Sequence, residues 1–158
     1  QLQNTDLFYG TVMQNFRLAV PSIDGEEVRS VLGALSMAPE VEAFPDGIDT
    51  RLTEAFKAGL PQGTLAALSL ARTMARDTPL YLFDEPTARL DTARRTAFRA
   101  WLTQLKGSRT IVVATPDRSF LSLADRIVYL DGGRVAINDS GPSALRKIDA
   151  MFAHARGS

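Results

Sequence analysis

The chain has 158 residues, of which 45% are apolar and 23% are charged, so its length and composition suit one globular domain with a sizeable core and exclude a largely disordered protein. Lys plus Arg and Asp plus Glu both total 18, which removes the strong basic field that most nucleic-acid-binding proteins show. With no cysteine and a single histidine, the chain has neither a disulfide framework nor the ligands of a Cys/His zinc centre.

Membrane insertion has no signal in this sequence. No segment approaches the roughly 20 consecutive apolar residues of a membrane span. The first ten residues, QLQNTDLFYG, lack the charged-then-apolar order of a signal peptide. A link to a membrane is therefore expected through a partner or through another part of the protein.

The first half of the chain is predicted to be mainly helical. Residues 7–19 are apolar and aromatic without a clean period. Asp24 precedes Glu27 by three residues, the spacing of a capping box, and the apolar stripe behind it predicts a helix to about Ser36. The stripe consists of Val28, Val31, Leu32 and Leu35.

Two proline-delimited segments follow. Residues 38–59 are expected to be loop-rich, because Pro39, Pro45 and Gly47 interrupt a helical period. A second apolar stripe predicts a helix from about Thr64, which cannot continue through the later Pro79. This stripe consists of Leu65, Leu68, Leu70 and Met74.

The middle of the chain alternates strand, helix and strand. LYLF at 80–83 and TIVVAT at 110–115 are short apolar runs, which are typical of strands buried on both faces. The helix between them is expected to stop at Gly107, and the order predicts a parallel pair with a right-handed crossover. Residues 93–95, ARR, are expected to be solvated. The core stripe of this helix consists of Phe98, Trp101, Leu102 and Leu105.

The last part of the chain is predicted to be a hairpin and a helix. Two alternating runs in residues 125–137 meet around Asp131, Gly132 and Gly133, a turn composition typical of hairpins. Pro142 suits the first turn of a closing helix. The whole pattern is α/β, with helices gathered in the first half.

An acid pair, Asp84 and Glu85, ends the first predicted strand. In a doubly wound sheet the carboxyl ends of the strands border the ligand crevice. An Asp there can hold Mg²⁺, and the next acid can orient or deprotonate a water that attacks a γ-phosphate. The alternative is structural: Asp91 caps a helix that starts near Thr92, and Pro86 shapes the turn before it.

Five segments in order resemble motifs of ATP-binding cassette (ABC) proteins. LYLFDEPTARLD, residues 80–91, resembles the Walker B segment and the D-loop. QNTDLFYGTVMQNF resembles the Q-loop region of ABC exporters, and FPDGIDTRLTEAF resembles their X-loop, with Glu54 at its acidic position. GLPQGTLAALSLARTMARD is similar to the signature segment and its helix, and TIVVATPDRSFLSLADRIVYLDGGRV to the switch strand and following hairpin. The resemblance covers about the whole chain, which no single motif could do.

The resemblance implies a partial P-loop NTPase-like ABC nucleotide-binding domain over residues 1–158. A helical and signature subdomain would span about 15–78, and Walker B, the switch strand, a C-terminal hairpin and a helix would span about 79–153. ATP and Mg²⁺ are the implied cofactors. Glu85 would be the catalytic base, and Asp84 and Gln3 would hold the metal. The implied nucleotide contacts are Gln3, Gly63, Thr64 and Asp91.

The sequence departs from the family pattern in three places. No GxxxxGK[ST] motif occurs, which we interpret as a partial chain because the Walker A of the family lies upstream of the Q-loop. The signature LSGGQ is replaced by LPQGT, residues 60–64, so Pro61 and Gln62 remove a hydroxyl, an N–H and a glycine. Pro116 follows Thr115 where the family has the switch histidine, and proline cannot donate to a phosphate. The altered signature and the missing switch histidine together indicate a degenerate cassette, and the absence of a Walker A predicts weak ATP binding by this chain alone.

Three functions remain open at this point. The first is an energy-coupling domain of an exporter, with reduced or lost hydrolysis, at the cytoplasmic face of the membrane. Its partners would be a transmembrane domain, on the same or a separate chain, and a second nucleotide-binding domain. The second is a regulatory or structural pseudo-ATPase, favoured by Pro116 and LPQGT. The third, a soluble ABC ATPase of DNA repair or translation, is disfavoured by the neutral charge, so no nucleic-acid partner is expected.

Overall fold

The computed structural model describes residues 7–155, which form two compact units that divide between Ala114 and Thr115. The first unit contains the helices of the amino-terminal half and a parallel strand pair. The second contains a hairpin and two helices. Within the described residues, no helix combines the length and the apolar character needed to cross a membrane.

The first two helices start at side-chain caps. Helix α1, Val12–Arg17, was not predicted, since its segment lacks an apolar period. Helix α2, Gly25–Ala34, starts at the predicted capping box, in which Asp24 and Glu27 each accept a backbone N–H at the other end of the box. Its stripe faces the core as expected. The fully buried members of this stripe are Val28, Leu32 and Leu35.

The region predicted to be loop-rich is helical in three places, so that prediction is wrong. Helix α3 spans Ala38–Glu42, a 3₁₀ turn spans Gly47–Asp49, and helix α4 spans Glu54–Ala58. Pro39 lies in the first turn of α3, where the N–H that proline lacks would have no helical acceptor. Proline therefore starts this helix instead of breaking it.

Helix α5, Gln62–Met74, is the long helix of the amino-terminal half and begins two residues before the predicted Thr64. It ends well before Pro79, as expected. Its apolar stripe packs into the core of the first unit, and the buried members are Ala67, Leu68, Leu70, Ala71 and Met74.

Strand β1, Leu80–Asp84, and strand β2, Thr110–Ala114, pair in parallel along their whole lengths. Helix α6, Thr92–Leu105, connects them, and Gly107 after it has a φ of +83°, a conformation that favours glycine. The predicted strand–helix–strand unit and its parallel pairing are confirmed.

One face of the strand pair is covered: alternate residues of β1 are buried, and those of β2 are half-buried. Tyr81 and Phe83 are buried and pack edge-on against α6, with ring centroids 5.3 Å from Trp101 and 5.2 Å from Phe98, respectively. The prediction of burial on both faces is wrong for the described chain, because α6 packs on the face of alternate residues. The exposed apolar residues of the other face include Leu80, Leu82 and Val112.

The second unit begins with a short helix and the predicted hairpin. Helix α7 spans Arg118–Leu121, and strands β3, Arg126–Asp131, and β4, Arg134–Ser140, pair in antiparallel fashion. Gly132 and Gly133 form the turn with φ values of +53° and +75°, the backbone that a two-residue hairpin loop requires.

Helix α8, Gly141–Ala155, closes the second unit and starts one residue before the predicted Pro142. It packs on the hairpin through a small apolar cluster. The buried members of that cluster are Ile127, Ile137, Ala144 and Ile148.

Candidate functional site

The acid pair stands at the carboxyl end of β1, where Asp84 is the last strand residue and Glu85 begins a strained turn. Glu85 has a φ of +43°, which is uncommon for a residue other than glycine. Its backbone N–H donates to the carbonyl oxygen of Ala114 on β2 at 2.8 Å, which holds this conformation in place. The side chains of Asp84 and Glu85 are exposed, and within residues 7–114 neither carboxylate has an ion-pair partner. Both carboxylates are therefore available to a cation or a water.

Two buried side chains anchor the turn of residues 85–91, and the turn ends in a helix cap. Thr87 and Leu90 are 5% and 3% exposed, and the Leu90 N–H donates to the Thr87 carbonyl at 3.1 Å. Asp91 Oδ1 accepts the Arg94 N–H at 2.8 Å and so caps α6. The structural role of Asp91 is confirmed, and its contact with a nucleotide stays a prediction.

The signature segment lies against this turn. Helix α5 starts after Pro61, which provides no side-chain cap. A Cβ on Gly63 would lie only 2.8 Å from the carbonyl oxygen of Arg89, so the first turn of α5 approaches the D-loop backbone closely. Thr64 is 1% exposed, and its hydroxyl donates to Glu40 Oε1 at 2.5 Å. The Thr64 hydroxyl thus faces the protein interior, and a nucleotide contact by Gly63 or Thr64 stays a prediction.

An ion pair that the sequence analysis missed joins this region to α3. The Arg94 guanidinium pairs with Glu40 Oε2, and its Nη1 lies 3.5 Å from Asp91 Oδ2. The Arg94 side chain is only 13% exposed, so the expectation that residues 93–95 are solvated is wrong for Arg94. No local pattern could have revealed the pair, because Glu40 and Arg94 are 54 residues apart.

The segments that resemble the Q-loop and X-loop regions are joined by backbone hydrogen bonds. The Val12 N–H donates to the Thr50 carbonyl at 3.1 Å, and the Leu52 N–H donates to the Gly10 carbonyl at 2.8 Å. Asn15, which is 1% exposed, donates to two loop carbonyls at 3.0 Å and accepts a loop N–H at 2.8 Å. This buried amide fixes the loop before α1.

The remaining predicted positions are spread over the chain. Gln3 lies outside the described residues. Glu54 is exposed and pairs with Lys57 at 2.6 Å. Thr115 and Pro116 belong to the second unit, where the Thr115 hydroxyl oxygen accepts a backbone N–H at 3.0 Å and Pro116 is exposed.

A complete metal cage is absent from residues 7–155, since no three His, Cys, Asp or Glu side chains come together there. Mg²⁺ does not require one, because proteins commonly hold it through one or two carboxylates together with waters and substrate phosphates. The exposed Asp84 fits one such position. The donor chemistry of this carboxylate therefore suits Mg²⁺.

A scan against models of protein families finds no match. The chain is 34% identical over 134 residues to the "Mycobactin import ATP-binding/permease protein IrtA" of Mycobacterium tuberculosis, which covers 85% of this chain and 15% of that protein. It is 33% identical over 152 residues to the "ATP-dependent lipid A-core flippase" of Shewanella oneidensis, which covers 96% of this chain and 25% of that protein. The chain thus spans a quarter or less of the length of these curated relatives.

A solved structure of similar fold is a bacterial Atm1-family ABC exporter with ATP bound. The two chains agree with a TM-score of 0.82 at 27% sequence identity, over 97% of this chain and 27% of the exporter chain.

Proposed function

This chain belongs to the ABC transporter family as part of a nucleotide-binding domain, and we propose that it couples ATP binding to export across a membrane. In this proposal it works with a transmembrane domain, on the same or a separate chain, and with a second nucleotide-binding domain. The site would then lie at the cytoplasmic face of the membrane. The support for export is that one similar protein is described as an ATP-dependent lipid A-core flippase and that a solved structure of similar fold is an ABC exporter. The other relative, described as a mycobactin import ATP-binding/permease protein, supports ATP-driven transport without supporting this direction.

The observation that carries the proposal is the geometry of the acid pair. Two exposed carboxylates stand at the carboxyl end of β1, and the strained backbone of Glu85 is held by the hydrogen bond to Ala114. Asp84 would hold Mg²⁺ through an oxygen, and the bound ion would neutralise phosphate charge. Glu85 would orient or deprotonate the attacking water.

We further propose that hydrolysis is reduced or lost. In the family the signature serine and the helix N-terminus contact a γ-phosphate held by the opposite domain. Pro61 supplies neither a hydroxyl nor an N–H at this position. The Gln62 side chain already accepts a hydrogen bond at Oε1 from Arg89 Nη1, at 3.4 Å. Pro116 cannot donate a hydrogen bond from its side chain. The helix N-terminus and Gly63 are retained, which supports residual affinity for an anion.

A non-hydrolysing cassette that holds a dimer together is the second candidate. The same proline substitutions favour it. Pro116 affects the nucleotide site that this chain would contribute, and Pro61 affects the site that it would complete for a second domain. A soluble ATPase of DNA repair or translation is disfavoured by a formal net charge of zero.

The decisive measurement is ATP turnover by the full-length protein that carries this cassette, with Glu85→Gln compared against Glu42→Gln, which removes an exposed carboxylate of α3. A lost general base costs at least about 100-fold in rate. We expect a slow wild type and a much smaller effect of Glu85→Gln, because residues that act as a unit do not contribute additively. Ordinary transporter rates that collapse in Glu85→Gln alone would refute the degenerate cassette.

A restoration experiment tests the proposal of reduced hydrolysis by returning the side chains of the family pattern. Pro116→His together with Pro61→Ser and Gln62→Gly should raise turnover, because each change returns a contact to the γ-phosphate. Turnover that stays unchanged in the triple variant of an already active protein would contradict the proposal.

The cofactor proposal has its own measurement. The 158-residue chain lacks the lysine and the glycine-rich backbone that supply most phosphate contacts in this family. Calorimetry should therefore show no micromolar affinity of this chain for Mg-ATP, and micromolar binding would refute that expectation.

A further inference from the structure

We propose that Glu40 is a positioning residue that fastens the first turn of α5 to the D-loop turn, residues 85–91, so that the two segments move as one body. The inference rests on the proposed function, in which both segments face a second nucleotide-binding domain. It assigns a role in the assembly of the nucleotide site to a side chain of α3, outside every motif singled out by the sequence.

The two carboxylate oxygens of Glu40 serve two different helices. Oε1 accepts the hydroxyl of Thr64, in the first turn of α5, at 2.5 Å. Oε2 pairs with the guanidinium of Arg94, in the first turn of α6. A single carboxylate therefore bridges the start of the signature helix and the start of the helix that follows the D-loop.

Low exposure makes this bridge stronger than an ordinary surface ion pair. Thr64 is 1% exposed, and the side chains of Arg94 and Glu40 are 13% and 31% exposed. Charge-assisted hydrogen bonds strengthen as water is excluded, whereas exposed pairs contribute little. Arg94 also reaches Asp91 at 3.5 Å, so the contacts continue to the last residue of the D-loop turn.

The backbone leaves little room for the two segments to slide past each other. The position of a Cβ on Gly63 lies 2.8 Å from the Arg89 carbonyl, and Arg89 Nη1 donates to Gln62 Oε1 at 3.4 Å. The bridge through Glu40 and this close approach act on the same pair of segments. Displacing one segment by an ångström would therefore displace the other.

Such coupling has a direct consequence for a site shared by two domains. Donors held rigidly in their binding geometry stabilise a developing charge more than mobile donors do. The first turn of α5 has lost its serine and one glycine, so its remaining amides depend on being placed correctly. Glu40 supplies that placement from α3, through its contacts with Thr64 and Arg94.

The first test measures hydrogen exchange in the full-length protein that carries this cassette. Glu40→Gln keeps a carbonyl oxygen that can accept from Arg94 and an NH₂ group that can donate to the Thr64 hydroxyl, but it removes the negative charge, so the charge-assisted link to Arg94 is weakened. The informative amides are those of Leu65, bonded to Pro61, and of Ala88 and Leu90 in the D-loop turn. Glu42→Gln, on the exposed side of α3, is the matched control.

We expect Glu40→Gln to raise exchange at all three amides by about 2- to 30-fold, the range typical of residues along a coupling network. Glu42→Gln should leave them unchanged. Arg94→Gln breaks the same bridge from the other end, so the double variant should exchange no faster than either single variant. Additive effects, or faster exchange in only one of the two segments, would overturn the inference.

The second test measures ATP-driven dimerisation of the same variants. Glu40→Gln should raise the ATP concentration for half-maximal dimerisation by about 2- to 30-fold, with no change in nucleotide affinity of the undimerised protein. If the wild type dimerises with ATP and Glu40→Gln requires the same ATP concentration, the positioning role is overturned. A wild type that never dimerises with ATP would refute the proposed function, and the exchange data would still decide whether Glu40 couples the two segments.

Discussion

Replacing Gly63 by alanine should destabilise the first unit, although alanine is the better helix former. The new Cβ would lie 2.8 Å from the carbonyl oxygen of Arg89, a distance that real Cβ contacts do not show, and the neighbour is backbone that cannot rotate away. Gly33→Ala in α2 is the matched control, because a Cβ there would meet no atom within 4 Å.

The sign follows from two opposing contributions to the free energy of unfolding. Alanine in place of glycine in a helix stabilises by about 0.5–1 kcal/mol. Forcing extra atoms into a packed contact costs about 1–3 kcal/mol. Gly33→Ala receives only the first contribution, so it should be more stable than wild type. Gly63→Ala receives both and should fall about 1–3 kcal/mol below Gly33→Ala.

Urea unfolding of the 158-residue chain provides the measurement. Trp101 is the only tryptophan and packs on Tyr81 and Phe98 within the first unit, so its fluorescence reports on that unit. The midpoint and slope give the free energy of each variant. Equal stabilisation by Gly63→Ala and Gly33→Ala would refute the close approach of α5 to the D-loop.

Three further changes test the two cores and one titrating group. Phe98→Ala should lower the free energy of unfolding by about 3–5 kcal/mol, because Phe98 is fully buried and leaves a cavity beside Trp101, whose fluorescence follows the loss. Burial raises the pKa of Tyr81 above its ordinary value of 10.0. As the pH rises, Tyr81 therefore loses its proton at a lower pH in the unfolded state than in the folded state. The contribution of Tyr81 to the free energy of unfolding should be fully present below the ordinary pKa of 10.0 and should be lost as the pH rises through the folded pKa. Urea midpoints between about pH 9 and 12 should show this loss in wild type and not in Tyr81→Phe. Gly141→Ala should disrupt the second unit, because its Cβ would lie 2.0 Å from the Ala124 carbonyl oxygen, and circular dichroism should show the lost helix.

Local signals were sufficient for several elements of the fold. The capping box of Asp24 and Glu27 predicted the start of α2, and the pair Gly132 and Gly133 predicted the hairpin turn. These predictions succeed because the interacting groups are neighbours in sequence, so the spacing itself fixes the geometry. The order of short motifs also identified the family, which the similar proteins bear out.

The same reasoning did not correctly predict the short helices or the burial of the strands. Helices α3 and α4 have five residues each, too short to be stable on their own. Val41 on α3 is 1% exposed, so packing against the rest of the unit maintains that helix. The continuous apolar runs of β1 and β2 predicted two buried faces, whereas α6 covers the face of Tyr81 and Phe83.

Some residues of the candidate site were likewise recognisable in the sequence, and others became apparent only in the structure. Asp84, Glu85 and the altered signature were visible in the sequence, because the chemistry of a motif lies in adjacent residues. The bridge from Glu40 to Thr64 and Arg94 was not visible, because these residues come from three helices and are 24 and 54 positions apart. Only the packing of α3 against the starts of α5 and α6 brings one carboxylate within hydrogen-bond distance of both, and no sequence period encodes such a contact.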